Sequence, residues 1–260
     1  MISTTATRIW TPYGYLFAED LYIGEKVISY NADRGACEYD TVGSIQIEYK
    51  QCMGYGIASK TMRQTLTPDH DILILNRKTK SLCREPVDSV FGSPFNAGKD
   101  KAVLSAALFE PYRRTQDMED IKWSARMAAT ISNHKKAYFD IPRDLGGYEA
   151  QEWLDTFFHW NKMISARNWM AAVRLTNLVV RDSILDIAPR AGVGAIWQSA
   201  YKGKPTMLMT TNGYVSPSLN NGWYKKPIDG LVFNLSTKNG NVLVKSNNGT
   251  YLVACEYTGE

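Results

Sequence analysis

The stretch DGLVFNLSTKNGNVLVKSNNGTYLVACEY, residues 229–257, carries two Asn-Gly pairs between runs rich in Val, Leu, Phe and Tyr. Asn239-Gly240 and Asn248-Gly249 suit the left-handed backbone of tight hairpin turns, so the stretch reads as successive strands. Residues 7–95 have the same texture. TRIWTPYGYLFAED holds a Pro-x-Gly turn between extended runs, and EKVISYNADRGACEYDTV reads as strand, turn and return strand. VGSIQIEY alternates, with Val42, Ile45 and Ile47 set among polar residues. DILIL is a short apolar run that suits a strand buried on both faces. The chain is therefore β-rich at both ends, and whatever lies between must leave the ends able to share a core.

The middle is different. SPFNAGKDK is a polar, Gly- and Pro-containing connection. MEDIKWSARMAATISNH reads as a helix with Glu119 and Asp120 in its first turn, where the helix dipole favours carboxylates. KKAYFDIP reads as a strand. GGYEAQEWLDTFFHWN is an amphipathic helix that sends Trp153, Phe157, Phe158 and Trp160 to the core. NWMAAVRLT alternates, and NLVVRDSILDIAPRAG is a helix with Asn177 as N-cap, Pro189 in its last turn and Gly192 beyond its end. VGAIWQSAY and PTMLMTT close as a hairpin. The fold class expected is α+β: a β module over 1–95 and 206–260, interrupted by a mixed α/β module over 96–205. Long insertions at a surface loop are thermodynamically tolerable. Phe95 and Thr206, which flank the insertion, should then lie close together.

Composition narrows the function classes. Four cysteines, Cys37, Cys52, Cys83 and Cys255, form no CxxC pair, which argues against a zinc site and a disulfide framework. No apolar run reaches the length of a membrane span, and the opening MISTTATRIW lacks the basic head and apolar core of a signal peptide. A cytoplasmic, reducing location is expected. Net charge is +4, unevenly spread. Residues 1–95 carry 10 basic and 11 acidic side chains, residues 96–204 carry 16 and 12, and residues 205–260 carry 4 and 3. The middle excess fits either a nucleic-acid footprint or solvated helix faces.

Three stretches together resemble the Hint superfamily, the β-fold of inteins and hedgehog autoprocessing domains. TRIWTPYGYLFAEDLYIGEKVISYN resembles its opening block, TPDH its Thr-x-x-His block, and DGLVFNLSTKNGNVLVKSNNG its closing block. The resemblance implies that Thr67 helps polarise a scissile peptide bond. It implies that His70 donates a hydrogen bond to the bond's nitrogen, so that a nucleophile at the domain's first residue attacks the preceding carbonyl. Read from the residues alone, Thr67 and His70 simply hold a turn. Met1 stands where the family has its nucleophile, and YLVACEYTGE has no terminal Asn, so the scaffold is expected without splicing and the chain is expected to stay intact under thiol.

The middle segment resembles LAGLIDADG homing endonucleases in layout. WSARMAATISNH is the signature-helix candidate, with Ala125, Ala128, Ala129 and Ser132 spaced for close helix approach. That family places a metal-binding acid at the helix end. Here the end reads Ile131-Ser132-Asn133-His134, which leaves Asp140 as the substitute and Mg2+ as the implied cofactor. A single copy implies a homodimer. Lys135, Lys136, Arg167, Arg174, Lys202 and Lys204 would contact double-stranded DNA. The function implied is a free-standing, phage-type homing endonuclease on a splicing-deficient Hint scaffold, working in the bacterial host's cytoplasm. The alternatives are a self-processing Hint protein and a non-catalytic DNA-binding or interaction protein.

Overall fold

In the computed structural model, residues 2–3, 7–59, 62–79, 81–92, 101–110, 116–142, 144–161, 165–167, 170–201, 204–210, 213–215, 217, 222–246 and 249–257 are described. The longest pairing joins the two ends of the chain. Ala36–Ala58 runs antiparallel to Trp223–Thr237, from Ile57↔Trp223 to Val42↔Thr237. The return strand expected at ACEYDTV and the alternating run VGSIQIEY belong to one continuous strand. Around this pair is a six-stranded sheet that also holds Glu256–Tyr257, Ile2–Ser3, Arg63–Leu66 and Lys26–Asn31.

A second sheet has eight strands. Its order is Ser165–Arg167, Met170–Arg174, Lys204–Thr210, Gly194–Tyr201, Gly249–Ala254, Asn241–Lys245, Arg8–Thr11 and Gly14–Phe17. A third sheet sets Tyr214–Val215, Lys101–Leu104, Asp71–Asn76 and Leu82–Pro86 side by side. The helices are α1 (Val87–Val90), α2 (Met118–Ile131), α3 (Gly147–Asn161) and α4 (Leu178–Arg190).

The α+β expectation is overturned. Among the described residues eighteen strands stand against four α-helices, and the fold is mostly β. The hairpin Gly194–Tyr201/Lys204–Thr210 is not part of a segregated α/β layer: Ala195 and Ile196 pair with Thr250 and Gly249 of the C-terminal region. Gly249–Ala254 is buried at every position. A strand that buried must have its backbone groups paired: on one edge the hairpin pairs with Gly249 and Thr250, and the Ser105 carbonyl accepts from the Leu252 amide at 2.8 Å. Lys101–Leu104 pairs with Tyr214–Val215, so the chain leaves the N-terminal β region and returns beside it along adjacent strands. The expected approach of Phe95 to Thr206 cannot be followed, because Phe95 lies outside the described residues.

KKAYFDIP is not a strand either. Residues 137–142 have no regular structure. The Phe139 ring instead meets Trp123 edge-on at 5.2 Å, and Ile141 is buried with Ile121 and Ala125 of α2. Helix contact, not strand pairing, satisfies those apolar side chains. Each of the last two helices is followed by a hairpin: α3 by Ser165–Arg167 with Met170–Arg174, and α4 by Gly194–Tyr201 with Lys204–Thr210. Trp153 and Phe157 are fully buried and stacked at 5.2 Å, but Trp160 is 56% exposed, contrary to expectation. At the last turn of α3 its ring meets the Arg126 guanidinium of α2, 5.6 Å from the ring centre, rather than apolar side chains.

The two Asn-Gly turns have different fates. Asn241–Lys245 and Gly249–Ala254 form the expected hairpin. Asn239-Gly240 closes none: it passes the chain from the six-stranded sheet, which ends in Thr237, to the eight-stranded sheet, which begins at Asn241. No helix among the described residues is long and apolar enough to cross a membrane.

Asn177 shows how the helical part is tied together. Its Oδ1 accepts from the Val179 and Val180 amides, capping α4. Its Nδ2 donates to the carbonyls of Ile131, His134 and Ala137, at 3.3, 2.8 and 2.8 Å. One buried side chain therefore starts α4 and finishes α2. Asn177→Ala should cost about 2 kcal/mol or more, through removal of the cap and orphaned carbonyls. Asn177→Asp keeps the cap acceptor but turns a carboxylate oxygen toward three carbonyls, so it should be destabilised as well. Urea unfolding of the three proteins measures this, and equal stabilities would contradict it.

Candidate functional site

Thr67 and His70 bracket a tight turn between Arg63–Leu66 and Asp71–Asn76. The His70 amide donates to the Thr67 carbonyl at 3.0 Å, and the Val87 amide to the His70 carbonyl at 2.8 Å. Both side chains are buried. The Thr67 hydroxyl hydrogen-bonds the Asp69 carboxylate, which holds that carboxyl below its usual range.

The His70 ring reaches across to the C-terminal region. Its Nε2 lies 2.8 Å from the Ala254 carbonyl oxygen. A carbonyl only accepts, so Nε2 carries the proton. Burial, the largest cause, pushes the imidazole down to about 3, so the ring is neutral. Cys255 comes next, and burial pushes its thiol up to about 12. Its Sγ lies 3.5 Å from Thr237 Oγ1.

Arg84 secures the next carbonyl. Its Nη1 donates to the Cys255 oxygen at 2.8 Å, and its Nη2 donates to the Asn239 oxygen at 3.1 Å and to the Gly240 oxygen. Gly240 is required here: its φ is +64°, and a Cβ would lie 1.8 Å from Arg84 Nη2. Beyond Cys255 the chain runs parallel to the end of Trp223–Thr237, with Ser236↔Glu256 and Thr237↔Tyr257. Asn234 Nδ2 donates to the Glu256 carboxylate at 2.8 Å. The run 254–257 is thus laid out like a bound peptide, with donors on two successive carbonyls. A cleft of about 440 Å³ opens beside it, with Glu48, Lys50 and Asp69 among its lining residues.

The structure thus brings His70 beside Ala254 and Cys255, with Thr67 at the start of the same turn. No sequence motif marks Arg84 or Asn234, and the only sequence signal for Cys255 is its place after Ala254. The remaining candidates do not join this site. Asp140 is exposed in the connection between α2 and α3, and Lys135 and Lys136 are exposed in the turn after α2. Arg174 is half-buried, opposite Thr206 in the eight-stranded sheet. Of Arg167 and Lys204 only the backbone is described, and Lys202 lies outside the described residues. Among the described residues no group of three or more His, Cys, Asp or Glu side chains could hold a metal ion, so Asp140 has no such partners for Mg2+.

No protein-family model and no curated protein matches this chain. Among solved structures, the AceL NrdHF class 3 split intein, as a GSH-linked splice-inactive variant, is similar at 8% identity and a TM-score of 0.47, with 98% of each chain covered.

The buried neutral imidazole has a consequence for stability. His70 is depressed in the folded state, so its contribution is fully present above the ordinary histidine value near 6.5. It is lost as pH falls toward about 3, because the unfolded chain takes up a proton that the folded chain refuses. Lowering pH from 7 to 5 should remove about 2 kcal/mol through this group. In His70→Gln that part of the pH dependence should vanish. Urea unfolding at both values tests it, and identical losses in the two proteins would contradict it.

Proposed function

We propose that this is a Hint-type β scaffold whose chemistry is directed at its own backbone: an acyl shift at the Ala254–Cys255 peptide bond. One observation carries the reading. His70 Nε2–H donates to the Ala254 carbonyl at 2.8 Å, and the next residue is a cysteine. The oxygen held by His70 is the one that would become negative if Cys255 Sγ attacked the Ala254 carbonyl carbon.

The step balances within the chain. The S–C bond forms, the thiol proton passes to the Cys255 nitrogen, and the C–N bond breaks. The product is a thioester between Ala254 and Cys255 Sγ with a free α-amine on Cys255. Arg84 and Asn234 hold the residues after the bond in place. The buried thiol is protonated, so the shift is slow, and the peptide is favoured until an outside nucleophile intercepts the thioester. A neutral His70 suits the role, since an imidazolium so deep would be heavily penalised.

This departs from the expectation that the chain stays intact under thiol, which rests on Met1 and the lack of a terminal Asn. The nuclease reading finds no comparable support, because Asp140 belongs to no carboxylate group among the described residues.

Intact-mass spectrometry after prolonged incubation with dithiothreitol tests the proposal. The expected product has lost CEYTGE, residues 255–260, and hydroxylamine should leave a hydroxamate on Ala254. Cys255→Ala should abolish both products. His70→Gln, if its fold is kept by circular dichroism, should slow them at least tenfold, within the range for loss of one oxyanion donor. A native chain that stays whole, indistinguishable from Cys255→Ala, would reject the reading.

A further inference from the structure

The second surface with chemistry of its own lies on the helical part, away from the His70 turn in the fold. Trp123 on α2, Tyr138 in the following connection and Trp160 at the end of α3 are 53, 77 and 56% exposed. Large aromatics left this open forgo burial that the neighbouring Trp153 and Phe157 obtain in full. They also belong together. Phe139, adjacent to Tyr138, meets the Trp123 ring at 5.2 Å, and Arg126, one turn on from Trp123, places its guanidinium 5.6 Å from the Trp160 ring centre.

The connection on this face is basic, while Glu119 and Asp120 of α2 and Glu152 and Asp155 of α3 lie on the flanking helices. Residues 122–140 hold Lys122, Arg126, Lys135 and Lys136 against one acid, Asp140. Lys122 is engaged by Glu119 and Glu152, at 3.8 and 3.5 Å, but Lys135 and Lys136 are exposed in the turn leading to Tyr138.

We infer that this face binds single-stranded nucleic acid. Open aromatic rings give unpaired bases a surface to stack on, and a guanidinium set over one ring stiffens the platform. Lysines beside the rings complement the phosphates. A duplex keeps its base faces stacked inside and would use only the lysines, so the exposed rings favour a single strand. The inference is independent of the acyl shift.

Fluorescence anisotropy with labelled oligo(dT), oligo(U) and a mixed-sequence duplex of equal length tests it, using the full chain. Binding to at least one single strand should exceed duplex binding about tenfold at equal salt, and tryptophan emission should be quenched. The oligo(dT) and oligo(U) arms tell whether the natural strand is DNA or RNA. The double substitution Trp123→Ala/Trp160→Ala should weaken binding about tenfold or more. Lys135→Ala/Lys136→Ala should reduce the slope of log affinity against log salt by about 1.4, at roughly 0.7 for each phosphate that is no longer neutralised. These side chains are exposed, and an unchanged circular dichroism spectrum confirms the fold of each variant. Absent binding, equal or tighter duplex binding, or affinity unmoved by the tryptophan substitutions would overturn it.

Discussion

The antiparallel pairing of Ala36–Ala58 with Trp223–Thr237 is the constraint on which the rest of the structure depends. It joins residues about 165 to 195 positions apart, so the loop-closure entropy of the whole middle segment opposes it. What offsets that cost is a shared core: Val42 and Ile57 from one strand and Phe233 and Leu235 from the other are buried with Ile72, Val253 and Cys255. The register then decides the cleft. Glu48 and Lys50 on one strand and Asn234 on the other line it, and a slip of either strand by one residue would turn that strand's contribution to the opposite face.

From that ladder a polar network carries position to the site. Asp40 is buried, accepts from Ser29 Oγ at 3.0 Å and takes the Asn239 amide at 2.8 Å. Asn241 exchanges two hydrogen bonds with the Tyr30 backbone, at 2.6 and 2.8 Å. Together they fix the turn between the two large sheets, whose carbonyls at Asn239 and Gly240 receive Arg84. Arg84 in turn holds Cys255. The same turn receives the Cys255 amide on the Gly240 oxygen at 2.9 Å. Farther along, Lys245 forms an ion pair with the fully buried Asp186, which ties α4 to the strand Asn241–Lys245. Partly satisfied buried charges are costly, so a network this deep commits the chain to one arrangement of its ends.

Much of this was legible in the sequence because it rests on local rules. The N-cap at Asn177, the acidic first turn of α2 and the hairpin before Gly249 follow from backbone groups that must be satisfied within a few residues. The pairing of His70 with Thr67 in one turn is of the same kind. The failures are all long-range. KKAYFDIP has strand composition, but Phe139 and Ile141 pack on a helix. Asn239-Gly240 has hairpin composition, but Asn241 is committed to Tyr30, so the chain changes sheets. The α+β reading failed because the edge of Gly249–Ala254 needed a partner, which the middle segment supplies. Arg84 carried no signal at all, since its role is to reach carbonyls about 155 positions away.

The central claim is that a buried, neutral His70 gives its Nε2 proton to the Ala254 carbonyl. Long-range 1H–15N spectra of the ¹⁵N-histidine-labelled protein test it most directly, with His70→Gln to assign the signal. The account predicts one His70 resonance pair with the proton on Nε2 and an unprotonated Nδ1, unchanged from neutral pH down to about 4. A proton on Nδ1, or titration near the ordinary histidine value of about 6.5, would contradict it.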